Sequence, residues 1–476
     1  MRCTSLPVPH GAPMASPDDG ATGRPAARTT VVIVNYNGAH LLPPCLDGLA
    51  RQDLPEGAFR TVVVDNASVD GSRELLARDY PWVEVIASRT NTGFAGGNNL
   101  ALRRLDTPYA VLLNNDAVPE PGWLRTVLAP LEREPALGAV TGKVVFAPRF
   151  LRLTWQTPGF SPGPHDPRDL GARVYRVEVG DRDVTDKVLW ERLTFGPEGT
   201  GEGRFRWTKP GGELLVPVQD TPGDLAEDIK ITFRVAAETV KPLRIAGPNG
   251  TEVQDELGTE RTDLVLAVPA GTALVDVINN VGGIVLTGGY GADRGFQEVD
   301  TGQYDTPCEV FTGCGNGMAI RATAGREVGW FDDDFFMYYE DTDLSWRLRS
   351  RGWGIRYEPS AVLRHVHSAS SVEWSPRWVF HVDRNRLLML TKDASARLAT
   401  SAVLRYPLTA TSIFVRALRE GLATRRRPAL RPHLLRVRVM ASYLSLLAPM
   451  LVRRRRIARR ATVARDELER WLADRR

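Results

Sequence analysis

TTVVIVNY, residues Thr29 to Tyr36, is a continuous β-branched apolar run closed by the polar residues Asn35 and Asn37. A strand of this kind has no wet face, so it belongs in a parallel sheet buried on both sides. Working outward, a helical segment follows from about His40 to Gln52, and then a second apolar strand, Phe59 to Val64, which stops at Asp65-Asn66-Ala67-Ser68-Val69-Asp70-Gly71. Next come a helix to about Tyr80, a strand Val83 to Ala87, and a loop and helix from Asn91 to Leu105. A fourth strand, Tyr109 to Leu113, runs into Asn114-Asn115-Asp116. Strand and helix alternating at short intervals predict a doubly wound α/β domain.

Asn35, Asp65, Asn66 and Asp116 each fall just past the carboxyl end of a predicted strand, the edge where open α/β sheets bind ligands. One such Asp alone reads as a helix cap; several at one edge read as a site. No GxGxxG follows the first strand and no GxxxxGK[ST] occurs, which excludes a Rossmann dinucleotide site and a P-loop. In Asn91-Thr92-Gly93-Phe94-Ala95-Gly96-Gly97-Asn98-Asn99 the glycines allow close backbone approach, and the loop feeds a helix whose first amides can meet an anion. Asn114-Asn115-Asp116 is an oxygen-rich turn suited to Mg²⁺ or Mn²⁺, with phosphate oxygens and water completing the shell.

From about Arg149 to Val277 the pattern changes to short apolar or alternating segments, among them ARVYRVEV, KVLWERLTF, GELLVPV, DIKITFRVAA and TDLVLAV. Turn residues separate them at roughly ten-residue spacing, which predicts an inserted antiparallel β-sandwich. The α/β pattern resumes near Asn279. Gly288 to Tyr304 is too glycine-rich for a regular element and reads as a mobile loop over a site. Phe331 to Arg347, FDDDFFMYYEDTDLSWR, then interleaves acids with aromatics and starts a helix. Acids in a first helical turn favour the positive end of the dipole, and a carboxylate beside an aromatic wall can also acquire a raised pKa and act as a general base. Strands at Gly354 to Tyr357 and Ala361 to Leu363 lead to His365-Val366-His367, either a structural pair or metal ligands.

The 476 residues are 43% hydrophobic and 25% charged, with a net charge of only +4. That charge is unevenly spread: 20 arginines against five acids lie from Arg397 onward, and the rest is net acidic by roughly ten charges. Tyr443 to Val452, YLSLLAPMLV, precedes Arg453-Arg454-Arg455-Arg456. An apolar run beside dense cations suits an anionic membrane surface, and aromatic stacking residues for nucleic acid are sparse there. No stretch of 18 uninterrupted apolar residues occurs, so no bilayer span is expected. Cys3, Cys45, Cys308 and Cys314 lack zinc-type spacing and read as reduced thiols. The Pro-, Ala- and Gly-rich leader reads as disordered. The expected organisation is a leader at 1–28, α/β parts at 29–148 and 278–392, the β-rich insertion at 149–277, and a basic helical tail at 393–476.

VVIVNYNG, VVVDNASVDGS, NTGFAGGNN, LLNNDA, FDDDFFMYYEDTDLSWRLRSRGW and HVHSASS, spread over about 31–146 and 280–370 in this order, together resemble the family 2 glycosyltransferases of GT-A fold. The likeness is to the rhamnosyltransferase-like branch acting on lipid-linked or cell-wall glycans; the β-rich insertion departs from the compact family pattern. The resemblance implies an inverting, metal-dependent transfer from a nucleotide-diphospho-sugar, with dTDP-L-rhamnose the first choice, to a glycan or polyprenyl-diphosphate-linked acceptor. The enzyme would be cytoplasmic and peripheral on the inner membrane face. Asn35, Asp65, Asn66, Asn91, Gly96, Asn98 and Asn115 would hold the nucleotide-sugar. Asp116, ending a DXD-like turn whose first position is Asn114, would hold Mn²⁺ or Mg²⁺ with His365, or with His367 in its place. Asp341 would be the catalytic base, positioned by Glu340. A catalytically weak membrane scaffold or glycan-binding protein is the alternative; a sugar nucleotidyltransferase would want a Gly- and Lys-rich phosphate loop near the start, which is absent.

Overall fold

In the computed structural model, which describes residues 27–163, 166–221, 223–366, 375–424 and 430–474, the run at Thr29 is a central strand of the main sheet. The chain forms two units. One takes Met1–Val145, Asn279–Phe296 and Gly302–Arg476; the other takes Phe146–Ile278 and Gln297–Thr301.

The first unit opens with β1 (Thr29–Asn35), α1 (Leu42–Ala50), β2 (Phe59–Asp65), α2 (Ser72–Asp79), β3 (Glu84–Ala87), α3 (Gly93–Leu102), β4 (Tyr109–Asn114), β5 (Ala117–Pro119), α4 (Trp123–Arg133) and β6 (Leu137–Phe146). The second unit contributes β7 (Arg149–Gln156), β8 (Arg173–Val179), β9 (Arg182–Asp183), β10 (Thr194–Glu198), β11 (Phe205–Thr208), β12 (Gly211–Gln219), β13 (Ile229–Ala236), β14 (Lys241–Ala246), β15 (Glu252–Leu257) and β16 (Thr262–Val268). Then follow β17 (Ile278–Asn280), β18 (Gly283–Leu286), β19 (Tyr290–Asp293), β20 (Cys308–Glu309), β21 (Gly317–Arg321), α5 (Ala322–Val328), α6 (Glu340–Ser350) and β22 (Gly354–His365). The chain closes with α7 (Pro376–Asp393), α8 (Ala396–Thr424), α9 (Arg431–Arg460) and α10 (Arg465–Leu468).

The main sheet runs β20-β22-β6-β21-β4-β1-β2-β3. Pairing is parallel from β3 through β4, but β21 enters antiparallel against β4 and β6, so the sheet is mixed rather than purely doubly wound. The strand order reverses between β1 and β4, which opens a crevice at the carboxyl ends of those two strands. Val31, Ile33, Val63, Val111 and Leu113 are fully or almost fully buried against α1 and α4, each worth about 1.5–3 kcal/mol of apolar burial.

In the second unit β10-β11-β8-β13-β16 and β12-β7-β14-β15 form two antiparallel sheets. Leu151, Leu153 and Trp155 of one and Val177, Ile231 and Phe233 of the other share one core, as in a β-sandwich. Its boundaries lie at Phe146 and Ile278 and include Gln297–Thr301, which the sequence reading of 149–277 did not reach. Lys187–Leu193, read with its neighbours as a strand, makes turns, and β10 starts only at Thr194.

Three further expectations change. The glycine-rich loop carries β19 paired with β18, and it is pinned: Gly291 N donates to Tyr339 Oη at 3.0 Å and Arg386 Nη1 to Gly288 O at 2.8 Å. The two predicted strands after α6 are one, β22. By length and composition α9 could cross a membrane, because small and polar residues interrupt its apolar run without making the helix polar overall. Among the described residues Cys45, Cys308 and Cys314 form no disulfide. Most of the leader, the basic run at 425–429 and His367 lie outside the described residues.

Candidate active site at the strand ends

Parallel pairing sets Asn35 beside Asp65 and Val34 beside Asn114, so the polar residues that end β1, β2 and β4 meet at the crevice. Asn35 is wholly buried; its Oδ1 accepts from Asn115 Nδ2 at 2.8 Å, and its amide donates to Ser68 Oγ at 3.2 Å. That bridge crosses the reversal point and has no room beside it. A Cβ on Gly38 would fall 2.3 Å from Asn115 Nδ2 and 2.6 Å from Asn35 Oδ1. Asp65 is buried, with Oδ2 3.6 Å from Arg73 Nε and Oδ1 without a hydrogen-bond partner.

Asn66, Asn91, Gly96 and Asn98 shape the adjoining loop from within. Asn66 Nδ2 donates to Asn91 Oδ1 and Gly93 O at 3.0 Å, and its Oδ1 accepts from Thr92 N at 2.9 Å. Asn98 Nδ2 donates to Phe94 O at 2.9 Å, and Gly96 packs on the Thr92 side chain. Gly93 has φ +73° and a Cβ there would lie 2.2 Å from Phe336 O, so both conformation and space require glycine.

Asp116 is buried two residues beyond β4. His365 Nε2, at the end of β22, lies 3.2 Å from its Oδ1 without making a hydrogen bond, and that oxygen has no hydrogen-bond partner. Nδ1 of the same ring is 3.0 Å from Asn279 Oδ1. In the tautomer whose Nδ1 donates to Asn279, Nε2 turns a lone pair on the carboxylate, which is an arrangement a cation relieves. Among the described residues no group of three or more His, Cys, Asp or Glu could hold a metal. Two protein donors fit Mg²⁺ or Mn²⁺ only where phosphate and water supply the rest.

The acidic stretch reaches this crevice through a turn the sequence reading did not single out. Asp341 Oδ2 accepts from Gly315 N at 3.1 Å, and Asn316 O accepts from Asn114 N at 3.2 Å. Asn316 is buried and neither atom of its amide has a partner. Its setting between glycines just before β21 was the available signal. Asp341 Oδ1 accepts from Thr342 N at 2.6 Å. Burial raises the Asp341 pKa against these hydrogen bonds, while Glu340, with Oε2 unpartnered, is pushed well above the carboxylate range by burial and then by Asp341.

Behind the site, Asn99 Nδ2 donates to Phe331 O at 2.9 Å and Asp333 Oδ1 at 2.6 Å, tying α3 to the acidic run. Lys392 Nζ reaches Asp332 at 2.6 Å and Asp343 at 2.5 Å, and Arg453 binds both Asp332 and Asp334 at 2.6 Å. Arg453 and Arg454, which donates to Thr391 O at 2.8 Å and Ala394 O at 2.7 Å, therefore leave the expected solvent-facing cationic cluster and hold α9 to the core. Phe336, Tyr338 and Tyr339 take φ of 61°, 68° and 68°. Buried Asn385 Nδ2 lies 2.8 Å from each of the Phe335, Met337 and Tyr338 carbonyl oxygens and fixes that loop.

The family model for glycosyl transferase family 2 matches residues 30–185 and that for glycosyl transferase family group 2 matches 286–452. The chain is 44% identical over 62 residues to an N-acetylglucosaminyl-diphospho-decaprenol L-rhamnosyltransferase of Mycobacterium tuberculosis, covering 13% of this chain and 20% of that one. It is 26% identical over 98 residues to the glycosyltransferase AglE of Haloferax volcanii, covering 20% and 32%. These matches span about a fifth to a third of the relatives' lengths. A mannosyltransferase of Pyrobaculum calidifontis, solved with GDP-Man and Mn²⁺, aligns with TM-score 0.37 and 13% identity over 90% of this chain and 87% of that one. The first matched segment carries Asn35, Asp65 and Asp116 and the second carries Glu340, Asp341 and His365; the chain belongs to the family 2 glycosyltransferases.

Proposed function

We propose that the protein transfers a sugar from a nucleotide-diphospho-sugar, dTDP-L-rhamnose first among donors, to a hydroxyl of a lipid-linked or cell-wall glycan, with inversion. The supporting observation is the set of buried polar atoms without partners at the strand ends: Asp65 Oδ1, Asp116 Oδ1 and the Asn316 amide. Each orphan costs about 1–3 kcal/mol, a cost a donor or its metal would relieve.

Asp65 meets the hydroxyls or ring N–H of the nucleoside, while the Asn35–Asn115 bridge and the Asn66–Asn91 loop fix the walls around it. Asp116 and His365 would hold Mn²⁺ or Mg²⁺, which when bound neutralises charge on the departing diphosphate. Asp341 takes the proton of the acceptor hydroxyl as that oxygen bonds to the anomeric carbon. The carbon–oxygen bond to the diphosphate breaks on the opposite face, and its electron pair leaves with the nucleoside diphosphate. One base and no covalent nucleophile gives inversion. Glu340 positions Asp341 from the same helical turn.

Features of α8 and α9 support attachment to a membrane surface. Leu404, Leu408, Val415 and Leu422 are exposed on one face of α8, and Leu434, Val437, Leu444 and Leu451 on one face of α9, beside Arg405, Arg416, Arg436 and Arg455. Apolar stripes flanked by arginine suit the headgroup region of an anionic cytoplasmic leaflet.

The test is nucleoside-diphosphate release from dTDP-L-rhamnose, UDP-galactofuranose, UDP-glucose and GDP-mannose, with Mn²⁺ or Mg²⁺ and then with EDTA. Release from one donor that EDTA stops supports the reading and names the sugar. Silence across the panel with no nucleotide bound would move the protein to the scaffold alternative.

A further inference from the structure

The β-sandwich unit carries a cleft of its own, about 480 Å³, lined by residues including Tyr175, Arg176, Arg204, Phe205, Arg206 and Arg261. A local irregularity makes it. Between β13 and β8, Arg234 pairs with Arg176 but Val235 pairs with Val174, so Tyr175 is the extra residue of a β-bulge and is aimed away from the regular ladder. Its ring sits 5.6 Å from Phe205, which packs edge-on to Trp207 at 5.7 Å, and the three form a continuous aromatic strip.

Cations line this strip unequally. Arg234 is held by Asp263 through two bonds of 2.8 Å, and Arg176 by Asp183 at 3.0 Å and Glu178 at 2.8 Å. Arg206 and Arg261 form no ion pair among the described residues, although Asp186, 3.6 Å from Arg204, also acts on Arg206, and Asp183 and Glu202 line the cleft with it. Arg261 instead lies 4.3 Å over the Tyr175 ring, and Arg206 is half-buried 5.7 Å from Trp190. Arginines outnumber acids in the lining, and a partly desolvated guanidinium with no directly bonded carboxylate favours an anion, its planar donors matching carboxylate or phosphate. Tyr175 and Phe205, which line the cleft with Trp207 buried behind them, offer an apolar platform for the C–H face of a sugar ring.

We propose that this cleft binds an anionic saccharide, a sugar chain bearing carboxylate or phosphate groups. The site is distinct from the strand-end crevice and does not depend on the transfer reaction assigned there.

Calorimetry with the full chain tests it, using tetragalacturonate for carboxylate, glucose 6-phosphate for phosphate and maltotetraose as the neutral control. Binding of either anionic probe in preference to maltotetraose, weakened by roughly tenfold or more in Arg206→Gln/Arg261→Gln, is the expected result. Arg261→Gln alone, at an exposed rim position, should weaken it with the thermal midpoint unchanged. Failure of both anionic probes to bind, equal affinity for maltotetraose, equal binding of an oligothymidylate, or full affinity in the Arg261→Gln variant would each overturn the proposal.

Discussion

On one side of the first turns of α6, Asp343 sits between Arg347 at 2.6 Å and Lys392 at 2.5 Å; on the other, Glu340 and Asp341 meet no cation among the described residues. Both groups are withdrawn from water, yet they titrate in opposite directions. For Asp343 burial works upward, but Arg347 and then Lys392 outweigh it and hold the carboxyl low. For Glu340 and Asp341 no cation answers burial, hydrogen bonds offset it only in part, and the pKa rises. Seventeen residues of one sequence thus divide into a neutralised half that binds helices together and an unneutralised half, the one to which we assign the proposed proton transfer.

The division can be broken most severely at Asp341. Asp341→Asn should lower transfer by roughly 10³-fold while nucleotide affinity holds within about twofold; transfer at the wild-type rate would falsify the assignment of the base. Asp343→Asn should do the reverse, costing about 3–5 kcal/mol in denaturant unfolding because Lys392 and Arg347 lose their shared partner. A loss below about 1 kcal/mol would mean the ion cluster is not structural. Gly38→Ala should weaken nucleotide binding by roughly tenfold and cost about 1–3 kcal/mol in unfolding, because the new methyl displaces the buried Asn35–Asn115 bridge.

The smallest effect is also the most specific. Glu340 has a native pKa above its unfolded value, so wild-type stability is highest below the unfolded pKa and declines as pH rises through the native one. Glu340→Gln removes that decline. The variant should gain on wild type steadily as pH rises above the unfolded glutamate pKa, by about 1.4 kcal/mol per pH unit, until the native carboxyl ionises. A constant difference across that range would show that Glu340 is not held protonated.

Much of this was legible in one dimension because strand ends announce themselves. Asn35, Asp65 and Asn114 terminate unbroken apolar runs, and parallel pairing brings such ends together without further information. The two-sheet insertion was equally readable from its turn spacing. What stayed hidden is pairing across long separations. Nothing in α7 marks Lys392 as the partner of Asp332, 60 positions earlier, or Arg453 as more than one of a run of arginines. Asn316 was passed over because one buried amide in a glycine-rich turn resembles any turn residue until its neighbours are known. The loop at Gly288 was misread for a related reason: its short strand β19 and the turn before it are held by Tyr339 and Arg386, both far along the chain.

The Asn385 contacts give the helical region a mechanical meaning. Three aromatic residues within four positions, Phe336, Tyr338 and Tyr339, hold positive φ and store on the order of 1–3 kcal/mol each, and one amide from α7 faces the carbonyls that would otherwise swing free. The motif is therefore complete in letters at Arg347 but complete in force only at residue 385. A protein cut between the two would keep the whole acidic signature, and the loop entering Glu340 would unwind like a spring whose catch has been removed.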